Sequence, residues 1–120
     1  MRTALLAATL LIPLSSGLSA SPPAQTVTVG LSSYRFDPPL IRLRHGQSYV
    51  LHLVNRSGRG HNFVAPSFLL AAGAGRSGVE VPAGAAVDVP IVAPARGVYK
   101  LKCTHFTHAL RGMKGRIVVE

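Results

Sequence analysis

The sequence predicts an all-β fold, a Greek-key β-sandwich of seven to eight short strands. Three observations carry that prediction. Apolar residues recur at every second position in short runs. Glycine and proline, 12 and 9 of the 120 residues, punctuate the gaps between those runs. Seven or eight such runs fit in the chain, and only one short segment suits helical turns.

The first run is Val27, Val29 and Leu31, alternating with Thr26, Thr28 and Gly30 as on a half-buried strand. Asp37-Pro38-Pro39 reads as a turn. Ile41 and Leu43 alternate with Arg42 and Arg44 until His45-Gly46 ends the run. Tyr49, Leu51 and Leu53 then alternate with Val50, His52 and Val54. A Gly-rich turn from Ser57 to Gly60 leads into His61-Asn62-Phe63-Val64. Residues 67–72 suit one or two helical turns, stopped by Gly73. Residues 79–81 and 85–92 are two further strands. From Gly97, the residues Tyr99, Leu101 and Cys103 share one face, with Lys100 and Lys102 on the other. That parity turns Cys103 inward at the strand end. Residues 116–120 form the last strand, with Ile117 and Val119 inward. No internal repeat, coiled coil or low-complexity tract is evident.

The domain is expected over residues 26–120, after a signal peptide at 1–20 and a linker at 21–25. Met1-Arg2 supplies a positive start, Ala4 to Leu14 an apolar run broken only by Thr9, and residues 15–20 small residues suited to cleavage. The run is too short for a span of about 20 residues. An uncleaved anchor is the alternative. Export to the periplasm or outside the cell follows, with no stable membrane insertion. Without residues 1–20 the chain keeps 12 Lys and Arg against four acids, a formal charge of +8. Such a chain is drawn to acidic partners. The charges are spread along the sequence, and three tyrosines and four phenylalanines offer little for stacking. Nucleic-acid binding is not expected. The Asn55-Arg56-Ser57 sequon carries no expected role in a bacterium.

The single cysteine cannot close an intrachain disulfide, so in an exported protein the thiol calls for a partner, a reaction or a metal. Cys103, His108 and Met113 fall in the spacing C-x4-H-x4-M, and His61 lies far upstream. Two imidazoles, a thiolate and a weak thioether are the donors of an electron-transfer copper site. One copper ion, alternating between Cu(I) and Cu(II), is therefore the expected cofactor. Zinc rarely takes methionine. His105 is an alternative ligand, though one intervening residue leaves little chain to turn its ring back onto the ion held by Cys103. His45 and His52 read as structural or surface residues. No acid is placed near Cys103 and a histidine for a hydrolytic triad, so the chain is not read as an enzyme.

Two motifs carry a family resemblance. Gly60-His61-Asn62-Phe63-Val64 and the C-x4-H spacing resemble azurin. The H-x4-M spacing and the closing Gly115-Arg-Ile-Val-Val119 strand are more similar to plastocyanin and pseudoazurin. The chain thus resembles the cupredoxins, the blue or type 1 copper proteins, with mixed character. The resemblance implies a trigonal plane of His61, Cys103 and His108, with Met113 as a long axial contact. It implies that Asn62 bonds the backbone at Thr104, tying the two ligand loops, and that the Gly60 carbonyl approaches copper opposite Met113. It also implies that His108 has an edge near the surface, with Ala109 and Leu110 in an apolar docking patch.

The function expected is single-electron transfer with a redox protein partner, by a monomer. Arg56, Arg59 and Arg111 form a candidate basic rim that steers an acidic partner. Copper storage, delivery or resistance is the alternative, and a metal-free interaction module is a third.

Overall fold

The computed structural model describes residues 3–17, 22–105 and 111–120. Residues 3–17 carry neither helix nor strand and stand exposed. Among the described residues, no helix is long and apolar enough to cross a membrane.

Among the described residues there are nine strands and one helix: β1 (Gln25–Ser32), β2 (Arg35–Asp37), β3 (Leu40–Leu43), β4 (Ser48–Asn55), β5 (His61–Val64), α1 (Pro66–Ala71), β6 (Gly78–Val81), β7 (Ala86–Val92), β8 (Gly97–Lys102) and β9 (Lys114–Val119). They form two sheets, β2-β1-β4-β7 and β3-β9-β8-β5-β6. The fold is the expected β-sandwich. It has one strand more than the upper expectation of eight, and the strand not foreseen is β2. Three residues are too few to display an alternation, yet Phe36 at its centre is fully buried.

The alternation in the sequence becomes the alternation of burial. In β4 the residues Tyr49, Leu51, Leu53 and Asn55 face inward and their neighbours are half-buried. β1 lies parallel to β4 with Val29 beside Leu53, and β7 closes the other side antiparallel. In the second sheet Ile41 of β3 lies beside Ile117 of β9, and Tyr99 of β8 lies across from that same residue. The inner faces meet in a core where Phe36 and Phe63 pack edge to face, ring centroids 6.0 Å apart. Burying such a side chain contributes on the order of 1.5–3 kcal/mol.

Helix α1 starts at Pro66, which needs no amide partner there. It buries Phe68 and Leu69. Its end is a Schellman turn: the Ala74 N–H donates to the Leu69 carbonyl at 3.0 Å and the Gly73 N–H to that of Leu70 at 3.3 Å. Gly73 takes φ +80°, which is why glycine stops the helix.

Gly115 is required for a different reason. A Cβ there would sit 2.8 Å from the Pro39 carbonyl oxygen and 3.1 Å from Leu101 Cδ2. The same carbonyl accepts the Arg116 N–H at 2.9 Å, so β3 cannot back away without losing that bond. Gly115→Ala is expected to cost about 1–3 kcal/mol, the usual penalty of overpacking. A urea midpoint equal to that of the parent chain would contradict this close approach.

Candidate metal centre

His61 opens β5 and is fully buried. The loop before it is shaped by Asn55, itself buried, whose Nδ2 donates to the carbonyls of Arg59 at 2.7 Å and Val81 at 2.9 Å. Its Oδ1 accepts the Ser57 N–H at 3.0 Å, which is an Asx turn. The Ser57 hydroxyl lies 2.7 Å from Asn55 Oδ1 and 3.1 Å from His61 Nε2. A hydroxyl has one proton. Donating it to the nearer Asn55 oxygen leaves Ser57 to accept from His61, which assigns the Nε2–H tautomer.

Cys103 directly follows β8 and is fully buried, as the parity with Tyr99 and Leu101 requires. Its N–H donates to the Met113 carbonyl at 3.1 Å. Met113, just before β9, is fully buried as well. Gly112 precedes it at φ +89°, and the Lys114 N–H reaches back to the Gly112 carbonyl at 2.8 Å. Both ends of the loop between β8 and β9 are therefore pinned beside each other.

The His61 segment is tied to the Cys103 segment by side chains. The β5–β8 register pairs Val64 with Lys102. One step further along, Asn62 meets Thr104. The Thr104 N–H donates to Asn62 Oδ1 at 2.7 Å, and Asn62 Nδ2 reaches Thr104 Oγ1 at 2.7 Å and Glu80 Oε1 at 2.8 Å. Thr104 thus takes the Asn62 bond that the resemblance implied.

His105 is directed to β6. Its Nε2 lies 2.8 Å from Glu80 Oε2, and its Cε1 would be 3.4 Å from a Cβ on Gly60. Burial works to raise the pKa of Glu80, but hydrogen bonds from Asn62 and His105 and the charge of His105 outweigh it. The carboxyl is held below its usual range. A lowered pKa means that Glu80 contributes stability above its ordinary titration range and loses it as pH falls through the lowered value.

His108, Ala109 and Leu110 lie outside the described residues. Among the described residues, no three His, Cys, Asp or Glu side chains are grouped as a metal would need. The Met113 thioether is a donor of a different kind, and His108 lies outside the described residues. His45 and His52 are used elsewhere: His45 Nδ1 is 2.8 Å from the Pro94 carbonyl, and His52 pairs with Asp88 across β4 and β7. Arg56, Arg59 and Arg111 are exposed, and the Arg111 guanidinium lies 5.0 Å over the Tyr34 ring.

The chemistry of the buried donors fits copper. A thiol, an imidazole and a thioether, all withdrawn from water, are the soft and borderline donors that copper prefers. The model of the copper-binding proteins of the plastocyanin/azurin family matches residues 24–120. The chain belongs to that family. Its cofactor is copper. Among solved structures, this cupredoxin is similar to auracyanin B, at 26% identity and TM-score 0.66 over 84% of this chain and 92% of the other. Auracyanin A, a "blue" copper protein from the green thermophilic photosynthetic bacterium Chloroflexus aurantiacus, shares the fold at 24% identity and TM-score 0.61, over 82% and 100%. A reduced amicyanin variant shares it at 22% and 0.54, over 79% and 82%. No curated protein sequence matches the chain.

Three residues of the site were missed in the sequence. Asn55 and Ser57 had a local signal, an Asn-x-Ser step ahead of a Gly-rich turn, which favours an Asx turn. Glu80 had none, because its partners Asn62 and His105 come from other strands or loops.

Proposed function

We propose that this cupredoxin is a single-electron carrier whose metal is held by His61, Cys103, His108 and Met113. The observation that carries the reading is the complete burial of His61, Cys103 and Met113 on segments cross-tied by hydrogen bonds. Bound copper supplies the chemistry, a one-electron change between Cu(I) and Cu(II). The chain supplies softness through Cys103 and Met113, and rigidity through its ties. With Nε2 held by Ser57, His61 would bind the metal through Nδ1, the usual division of labour for a ligating imidazole. Asn62 keeps the two ligand segments at a fixed spacing, so little has to move when the charge changes. Gly60, next to His61 in the sequence, would supply a weak carbonyl contact to the metal.

His108, with Ala109 and Leu110, forms the port through which electrons leave to a redox protein partner. Arg56, Arg59 and Arg111 steer that partner by its acidic surface, and the carrier works as a monomer. The pairing of His105 with Glu80 favours this reading over copper storage or delivery, which would use His105 as an extra donor. Export after removal of residues 1–20 completes the proposal, and N-terminal sequencing of the mature protein tests it.

The deciding experiment is the visible and EPR spectrum of the Cu(II)-loaded mature protein. An intense thiolate-to-copper charge-transfer band with narrow copper hyperfine splitting is expected. A weak spectrum typical of square-planar nitrogen and oxygen ligation would overturn the site.

A further inference from the structure

The register of β8 and β9 sets Lys100 opposite Arg116 and Lys102 opposite Lys114. All four are exposed, on the face of the sheet turned away from the core. Like charges directly opposite one another on antiparallel strands repel. Among the described residues, no carboxylate is paired with any of them. Glu80 is engaged by Asn62 and His105, Asp88 by His52, and Glu120 by Arg42, while Asp37 ends β2 in the other sheet. These are all four acids of the chain. The cations line an open groove of about 820 Å³, together with the backbone around Leu101 and Gly115 and the part-exposed Leu40 of β3.

We propose that this groove is the docking surface for an acidic protein partner. It takes a protruding segment that carries clustered carboxylates and an apolar residue for Leu40. The concavity suits a protrusion better than a flat bilayer. Among the described residues no aromatic side chain lines it for base stacking. Position gives the surface its use. Lys102 precedes Cys103 and Lys114 follows Met113, so a partner seated there lies on the outer side of the two strands whose ends adjoin two proposed ligands. The surface is separate from the arginine rim, and its use by a redox partner rests on the carrier reading.

The test is an amide NMR titration of the Cu(I)-loaded protein with poly-L-glutamate at low ionic strength. Lys102→Gln/Lys114→Gln is compared with Arg76→Gln/Arg96→Gln, which removes the same charge from exposed sites outside the groove. Shifts confined to β8, β9 and the start of β3 are expected, with several-fold weaker binding in the lysine variant and near-parent binding in the control. Equal weakening in both variants would mean attraction by net charge alone and would overturn the proposal. So would shifts centred on Arg56, Arg59 and Arg111. Binding to phosphatidylglycerol vesicles without binding to poly-L-glutamate would assign the groove to a membrane and overturn it as well. The Cu(II) visible spectrum of each variant is recorded in parallel. A normal blue spectrum with no docking would remove the groove and leave the carrier reading standing.

Discussion

Cys103→Ser is expected to abolish the intense visible absorption of the Cu(II)-loaded protein. The band arises when an electron moves from a thiolate sulfur lone pair to copper. A serine oxygen holds its electrons too tightly to give a transition in the same range. The copper left behind would be bound by harder donors, which favours Cu(II) over Cu(I). A lower reduction potential and weaker Cu(I) retention should therefore accompany the loss of colour. The substitution also places a hydroxyl where a fully buried thiol packs. A hydroxyl is more strongly hydrated than a thiol, so burying it there costs about 1–3 kcal/mol, and the metal-free variant should melt earlier too. A variant that stays blue would remove Cys103 from the ligand set.

Asn62→Ala is the second large effect. It deletes three hydrogen bonds at once, two to Thr104 and one to Glu80. The Thr104 N–H loses its acceptor in a partly buried position, and the expected loss in stability is about 1–3 kcal/mol. The more diagnostic consequence is on the metal. Without Asn62, the segment bearing His61 loses its side-chain tie to the segment bearing Cys103, and the β5–β8 ladder between them, among the described residues, is the Val64–Lys102 step. Metal retention should fall about 10–100-fold, as it does when residues that hold ligands are removed. Asn62→Asp separates the two roles. Its carboxylate still accepts the Thr104 N–H, but it cannot donate to Glu80 and sets two like charges side by side. It should keep more of the blue spectrum than alanine does while melting below the parent. Unchanged metal retention in Asn62→Ala would show that the strands alone hold the ligand spacing.

Most of the fold was legible because its code is local. In β4 and β8 every second residue is apolar, and a strand points alternate side chains to opposite faces whatever its neighbours are. That placed Tyr49, Leu51, Leu53, Leu101 and Cys103 inward before any pairing was known. Strand β2 was not legible, because Phe36 has no repeat around it to reveal a face. At the candidate site, residue types and spacings along one stretch of chain nominated Cys103, His108 and Met113. The Gly-His-Asn-Phe-Val motif nominated His61 and Asn62. The supports were harder to see. Ser57 lies four residues before His61 and becomes its neighbour only because Asn55 folds the loop back.

The sequence by itself determined the all-β class, the inward parity of each long strand and the donor chemistry of the copper family. These depend on residue type and on spacing within a single element. Only the tertiary structure decided that Glu80 grips both Asn62 and His105, and that four cations scattered over β8 and β9 line one groove. Register between distant strands is set by how their apolar faces interlock in the common core. That interlock is a property of both sheets together, and no periodicity within one strand encodes which outward residues will end up side by side.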